Sequence, residues 1–265
     1  MARFLLLSDL HAVAPGELVS GRLDTPALLR GAIDALRARM PAIGPFDAVL
    51  VAGDVSDDGS AESYALARAE LARLGLPVLA IPGNHDMRAA FRSTFADLPG
   101  MPSEGLLDWV RDIAGTRVVG LDTLVEGQGG GDLRRESLDL LSCALRDAGD
   151  RPVLIALHHP PLGTGIRFMD GIGLRNPGDL AAILADAPHP ARIVAGHVHG
   201  IHAGMVGASP VVTLPSLCSA FALDRRADAP VGFMTAPTGC AVIDTGPGGA
   251  WTLLPLDHGD GPFPF

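Results

Sequence analysis

Apolar runs of four to six residues alternate along the chain with longer stretches in which apolar side chains recur every three or four positions. Runs this short, closed at both ends by polar residues or glycine, predict strands covered on both faces. Arg3–Leu7 is the first; 47–52, 77–81, 117–121, 153–157, 192–195 and 211–214 repeat the pattern, with a last strand near 241–243. Between them, Leu29, Ile33, Leu36 and Met40 predict an amphipathic helix over 26–40, with Asp24 or Thr25 as N-cap and Pro26 in the first turn. A second helix is expected from a Ser60 cap to about Leu74, stopped by Gly75. Helices over 133–148, ended by Gly149, and over 179–184 complete the set. Strand and helix therefore alternate, the mark of an α/β fold, and no repeat or linker divides residues 1–265.

Two glycine-rich stretches interrupt this order. The stretch 127–131 contains no Gly-x-Gly-x-x-Gly after a strand, so it is expected to be a flexible loop and not a nucleotide fingerprint. The stretch 160–178 places Gly163, Gly165, Gly171 and Gly173 around Phe168 and Met169, and is expected to form a wall for a substrate.

The strand ends carry the chemistry. Asp9-Leu10-His11, Gly53-Asp54, Gly83-Asn84-His85-Asp86, His158 and Gly196-His197-Val198-His199 each follow an apolar run, and parallel strands gather such ends at one edge. Carboxylate, imidazole and amide oxygen are all metal donors. On an extended chain the side chains of Asp9 and His11 would share one side and chelate one ion, because side chains repeat every second residue. His197 and His199 would do the same, unless a loop conformation aims them at two different ions. Each motif alone is common by chance; five in succession are not, and one of only two asparagines, Asn84, sits among them. The layout is that of a two-metal hydrolase.

Composition narrows the reading. All 20 basic residues are arginine, which excludes a phosphate-binding P-loop and Schiff-base catalysis, both of which need lysine. A net charge of −10 disfavours capture of a nucleic acid, although bound cations would still supply a local positive field for a phosphate. Cys143, Cys218 and Cys240 are odd in number and widely spaced, so reduced and mostly buried thiols are expected, without a disulfide framework or a zinc knuckle. Arg3 precedes only four apolar residues before Ser8-Asp9, so neither a signal peptide nor a membrane span is expected, and the protein is placed in the cytoplasm.

Taken in order, Asp9-x-His11, Gly53-Asp54-x-x-Asp57, Gly83-Asn84-His85-Asp86, His158 and Gly196-His197-x-His199 resemble the five-block signature of the calcineurin-like metallophosphoesterases. His158-His159-Pro160-Pro161 and the run from Phe168-Met169-Asp170 to Leu174 resemble, more narrowly, the bacterial cyclic-nucleotide phosphodiesterase and glycerophosphodiesterase branch. The resemblance implies an αββα sandwich of two packed mixed β-sheets flanked by helices. It implies that Asp9, His11, Asp54 and His199 bind one ion, and that Asn84, His158, His197 and the shared Asp54 bind the other. The ions would be divalent or trivalent iron, manganese, zinc or cobalt, and a hydroxide held between them would attack phosphorus in line. In such relatives the histidine matching His85 contacts the phosphate beside Asn84 and protonates the leaving oxygen, with Asp86 expected as its orienter. Asp57 is expected to orient neighbouring ligands.

The implied substrate is a small phosphodiester, either a 3′,5′-cyclic nucleotide or a glycerophosphodiester, with no nucleic-acid polymer and no membrane as partner. The alternatives are a phosphomonoesterase or nuclease using the same ions, and a binding scaffold without chemistry. Among the other histidines, His159 is expected to be structural, His202 to line the pocket, and His189 and His258 to be exposed. The segment 215–237, with Leu217, Phe221, Phe233 and Met234, is expected to cap the site or to form a homo-oligomer contact, part of a possible cap over 215–265.

Overall fold

Side chains that alternate along a strand sort the core of this protein into three layers, seen in a computed structural model that describes residues 2–98 and 100–256. The strands are β1 (Arg3–Leu7), β2 (Ala48–Ala52), β3 (Val78–Ile81), β4 (Trp109–Ile113), β5 (Thr116–Leu121), β6 (Val153–Leu157), β7 (Arg192–Ala195), β8 (Ala203–Val206), β9 (Ser209–Thr213), β10 (Gly239–Asp244) and β11 (Trp251–Pro255). The helices are α1 (Thr25–Ile43), α2 (Ala61–Ala72), α3 (Arg88–Thr94), α4 (Arg135–Arg146), α5 (Arg167–Asp170) and α6 (Pro177–Ala185). In β1, Phe4 and Leu6 point between the two sheets with Leu50, Trp109, Leu154 and Val194, while Leu5 and Leu7 point outward onto Leu29, Ile33 and Tyr64. A third cluster packs α4 and α6 onto the far sheet through Leu141, Leu145, Leu180 and Ile155. This is the expected α/β architecture, helices on the outside of two stacked sheets.

The first sheet runs β11-β10-β1-β2-β3 and the second β4-β5-β6-β7-β9-β8. β1, β2 and β3 are parallel, as are β5, β6, β7 and β9; β10 and β11 in the first sheet, and β4 and β8 in the second, pair antiparallel. Both sheets are therefore mixed, and their parallel strands carry every candidate donor at their C-terminal ends.

Local signals hold where they were strongest. Asp24 caps α1 by accepting from Ala27 N at 3.0 Å, and Ser60 caps α2 by accepting from Ser63 N at 3.1 Å. The stretch 127–131 differs from its expectation: Gly131 bridges to Leu174, with Gly131 N on Gly173 O and Arg175 N on Gly131 O. A Cβ on Gly131 would stand 2.2 Å from His159 Nδ1, so glycine there answers a close approach and fastens one end of the loop. The stretch 160–178 is not loop throughout, since it contains α5 and the start of α6. All three cysteines are free, Cys218 and Cys240 buried and Cys143 exposed. Among the described residues no helix is long and apolar enough to cross a membrane. His258 and the tail 257–265 lie outside the described residues.

Candidate metal centre

Five candidate donors sit in backbone conformations that L-residues seldom adopt. Asp9, His11, Asp54, His197 and His199 have φ of 52°, 43°, 49°, 72° and 45°, which leaves only Ser20 and Ala114 as other non-glycine cases among the described residues. Such conformations cost energy and persist where surrounding bonds hold them. The loops after β1 and β2 are laced together by Asp9 N to Gly53 O at 3.1 Å, His11 N to Asp54 O at 2.9 Å and Ala12 N to Val55 O at 3.1 Å. The expectation that Asp9 and His11 converge by strand alternation is thereby corrected. The chain is coiled and not extended at both residues, and the left-handed turns aim them inward.

The donors fall into two groups that meet at one carboxylate. In the first, His11 Nε2 lies 3.1 Å from His199 Nε2 and 3.6 Å from Asp54 Oδ2, and His199 Nε2 lies 3.4 Å from Asp9 Oδ1. In the second, Asn84 Oδ1 lies 3.1 Å from His158 Nε2 and 2.9 Å from His197 Nδ1, and His158 Nε2 is 3.3 Å from Asp54 Oδ2. The first sheet supplies Asp9, His11, Asp54 and Asn84, and the second supplies His158, His197 and His199. All are buried except Asn84, which is half-buried. Gly83 lets the two turns touch, because a Cβ there would stand 2.2 Å from Asp54 Oδ1.

Outer contacts decide which ring nitrogen each histidine presents. His158 Nδ1 donates to Ala52 O at 2.8 Å and His197 Nε2 donates to Ile172 O at 3.1 Å, so His158 Nε2 and His197 Nδ1 turn lone pairs inward. His11 Nδ1 donates to Asp57 Oδ1 at 2.9 Å, again freeing Nε2. Each group is then a cage that brings ring nitrogens and carboxylate or amide oxygens about 3 Å apart, a set of donors that a cation would draw together through their lone pairs. The mixed nitrogen and oxygen donors suit a transition metal or zinc. Burial opposes charge at His158, yet the neighbouring Asp54 carboxylate outweighs it and pushes the ring up to about 9. The same attraction holds Asp54 well below the usual carboxylate range against its own burial. His197, pressed by burial and by the nearby His158, falls to about 3, a ring that stays neutral and available as a ligand.

His85 stands beside these cages, its side chain 41% exposed. Its Nδ1 hydrogen-bonds to the Asp57 carbonyl at 3.1 Å, with the Asp57 carboxylate 3.3 Å away, so the residue that orients it is Asp57. The expected partner, Asp86, is turned away and buried. Its oxygens accept from Gly83 N at 2.8 Å, Ser56 N at 3.1 Å, Val55 N at 3.2 Å and the Tyr64 hydroxyl at 2.9 Å. Asp86 therefore clamps the β2 turn to the β3 turn, and burial together with the Asp54 charge pushes its carboxyl up to about 6. Asp86→Ala is expected to cost the metal-free chain about 3 kcal/mol or more, from three buried amides stranded at roughly 1–3 kcal/mol each. Tyr64→Phe, which removes the bond to Asp86 and the one accepted from Met87 N at 2.9 Å, should cost about 2 kcal/mol. Urea denaturation checks both, and an Asp86→Ala chain of wild-type stability would remove the clamp.

His159 is structural as expected: it is buried, with Nδ1 on Thr123 Oγ1 at 2.8 Å and Nε2 on Gly129 O at 3.0 Å, and its ring packs 4.5 Å from that of His197. His202 is half-buried and His189 exposed. Several contributors had no signal in the chain: the carbonyls of Ala52 and Ile172, the Tyr64 hydroxyl, and Ser219, whose Oγ meets His199 Nδ1 at 2.8 Å.

Similarity to known proteins agrees with this geometry. The family model for calcineurin-like phosphoesterases matches residues 2–200. The chain is 35% identical to the 3′,5′-cyclic adenosine monophosphate phosphodiesterase CpdA of Pseudomonas aeruginosa, over 83% of this chain and 80% of that protein. It is 30% identical to a probable glycerophosphodiester phosphodiesterase, GpdQ of Arcobacter nitrofigilis, over 87% of this chain and 84% of that one. In fold it resembles a dimetal phosphatase from Danio rerio, with a TM-score of 0.64 at 17% identity over 91% and 92% of the two chains.

Proposed function

The chain belongs to the calcineurin-like phosphoesterase family, and from that premise we propose that it hydrolyses small phosphodiesters, 3′,5′-cyclic nucleotides or glycerophosphodiesters, with two bound cations. The observation that carries this reading is the pair of acceptor cages sharing Asp54 Oδ2, with the exposed His85 beside them. Bound there, the ions would supply a water acidified toward neutral pH and a positive field for the phosphoryl oxygens. Iron, manganese, zinc and cobalt all suit the donor set. Asp9, His11, Asp54 and His199 hold one ion in this reading, and Asp54, Asn84, His158 and His197 the other. Asn84 and His85, adjacent on the β3 turn, face the phosphate. His85, with Nδ1 on Asp57, keeps Nε2 for the leaving alcohol and passes it a proton.

A diester suits the site better than a monoester, because among the described residues no arginine bonds to a candidate donor and a monoester brings one more negative charge. The net charge of −10 supports a small substrate over a nucleic-acid polymer. Three free thiols support the cytoplasm as its compartment. We read residues 1–265 as one unit, since β10 pairs with β1 inside the first sheet. Within 215–237 the contacts favour a cap, because the Phe221 ring lies 4.6 Å from that of His199. The same segment exposes Leu223, Val231 and Met234, the basis for a homo-oligomer contact that light scattering would remove by finding a monomer.

A substrate panel tests the function. Rates on bis(p-nitrophenyl) phosphate and on a cyclic nucleotide or glycerophosphodiester should exceed those on p-nitrophenyl phosphate and DNA. Chelation should abolish them, and added manganese, cobalt or zinc should restore them. A faster monoester rate, or full activity in chelated protein, would overturn the proposal.

A further inference from the structure

A strap between β9 and β10, residues 216–221, buried through Ala220 and half-buried at Phe221, lies against the first donor group. Ser216 Oγ donates to Asp9 O at 2.7 Å and accepts from Cys218 N at 3.0 Å and Ser219 N at 3.3 Å, which anchors the strap to the β1 turn. Ser219, 3% exposed, then places its Oγ 2.8 Å from His199 Nδ1, and Phe221 packs its ring against the same imidazole at an interplanar angle of 32°. His11, His158 and His197 have their outer nitrogens on a carboxylate or a backbone carbonyl, groups that only accept. His199 alone among the four relies on a hydroxyl.

From this contact we infer that Ser219 is a positioning residue for the metal centre, holding His199 in the tautomer whose Nε2 lone pair faces Asp9 and His11. The hydroxyl accepts the Nδ1 proton inside a pocket closed to water. Without it, an Nδ1–H would be buried with no acceptor, and the opposite tautomer, which aims its proton at the ion position, would gain population. The effect is confined to one ion, because His199 belongs to the first group and the second is oriented by Ala52 O and Ile172 O.

The inference rests on the two-cation reading, and the test separates the two. Full-length wild type and Ser219→Ala, stripped with a chelator and titrated with Mn²⁺ by calorimetry, should differ in one site only. Wild type should bind two ions per chain, whereas the variant should bind one of them about 10- to 100-fold more weakly and the other within about twofold. Wild type that binds no Mn²⁺ or other transition ion overturns the two-cation reading and this inference with it. Two unchanged sites in the variant, or two sites weakened equally, overturn the role of Ser219 alone. Because the variant could fail to fold, ¹⁵N-histidine spectra of the metal-free wild type provide a second measure. A proton on His199 Nδ1 is expected, and one on Nε2 would overturn the inference without any mutation.

Discussion

Asp54→Ala is expected to remove both cations and diester hydrolysis together. Asp54 is the one candidate donor that touches both groups, with Oδ2 3.6 Å from His11 Nε2 and 3.3 Å from His158 Nε2. A shared carboxylate offsets the repulsion between two dications roughly 3.5–4 Å apart, so its loss weakens each site and also the pair. It also removes the charge that outweighs burial at His158. Bound metal should fall from two ions to less than one, and kcat/KM roughly 10⁴-fold or more, as when a group that unites the catalytic machinery is lost. The fold should survive, because among the described residues the other oxygen of Asp54 accepts from His85 N alone, at 2.9 Å, while the turn itself is clamped by Asp86. Metal analysis, circular dichroism and turnover of bis(p-nitrophenyl) phosphate check this. A metal-depleted variant that hydrolysed the ester at the wild-type rate would refute the assignment.

His85→Ala is expected to behave in the opposite way, leaving both ions in place and slowing the chemistry. The ring supplies no atom to either cage and is partly exposed, meeting the His11 ring edge-on, so its removal leaves the two donor groups in place. Loss of a positioned acid costs about 10²- to 10⁴-fold in kcat when the leaving group needs a proton. A glyceryl or ribosyl oxygen needs one; p-nitrophenolate leaves unaided. The variant should therefore lose most of its rate on a glycerophosphodiester or cyclic nucleotide and little on bis(p-nitrophenyl) phosphate. Equal losses on both, or loss of bound metal, would show that His85 works by holding the site together. Asp57→Asn should act mainly through His11, whose Nδ1 bonds to Asp57 Oδ1 at 2.9 Å, because the carbonyl that holds His85 Nδ1 remains.

The interior strands β1, β2, β6 and β7 were legible because each is covered on both faces, and that condition writes a continuous apolar run into the chain. β4, β8 and β11 were not. All three are edge strands, and Trp109–Ile113, with Arg111 and Asp112 inside it, has no such run to show. The exact ends of α4 and α6 differ from expectation by one or two residues, where no side chain caps the N-terminus to fix the boundary.

In the same way, residue type and order named the seven candidate donors and the family, because donor chemistry is a property of the side chain and strand-end position follows from local pattern. Partnership is not such a property. Asp86 adjoins His85 in the chain, yet it lies beneath the turn on the amides of Gly83, Val55 and Ser56, while Asp57, 28 residues away, meets the imidazole. Ser219 reaches its histidine from a loop that carries no motif, and Ile172 does so through a backbone carbonyl that no side-chain pattern encodes. Which nitrogen faces an ion, and which residue steadies an acid, depends on distances of about 3 Å between separate strand ends. Such distances exist only once two sheets have packed and left-handed turns have aimed their side chains inward.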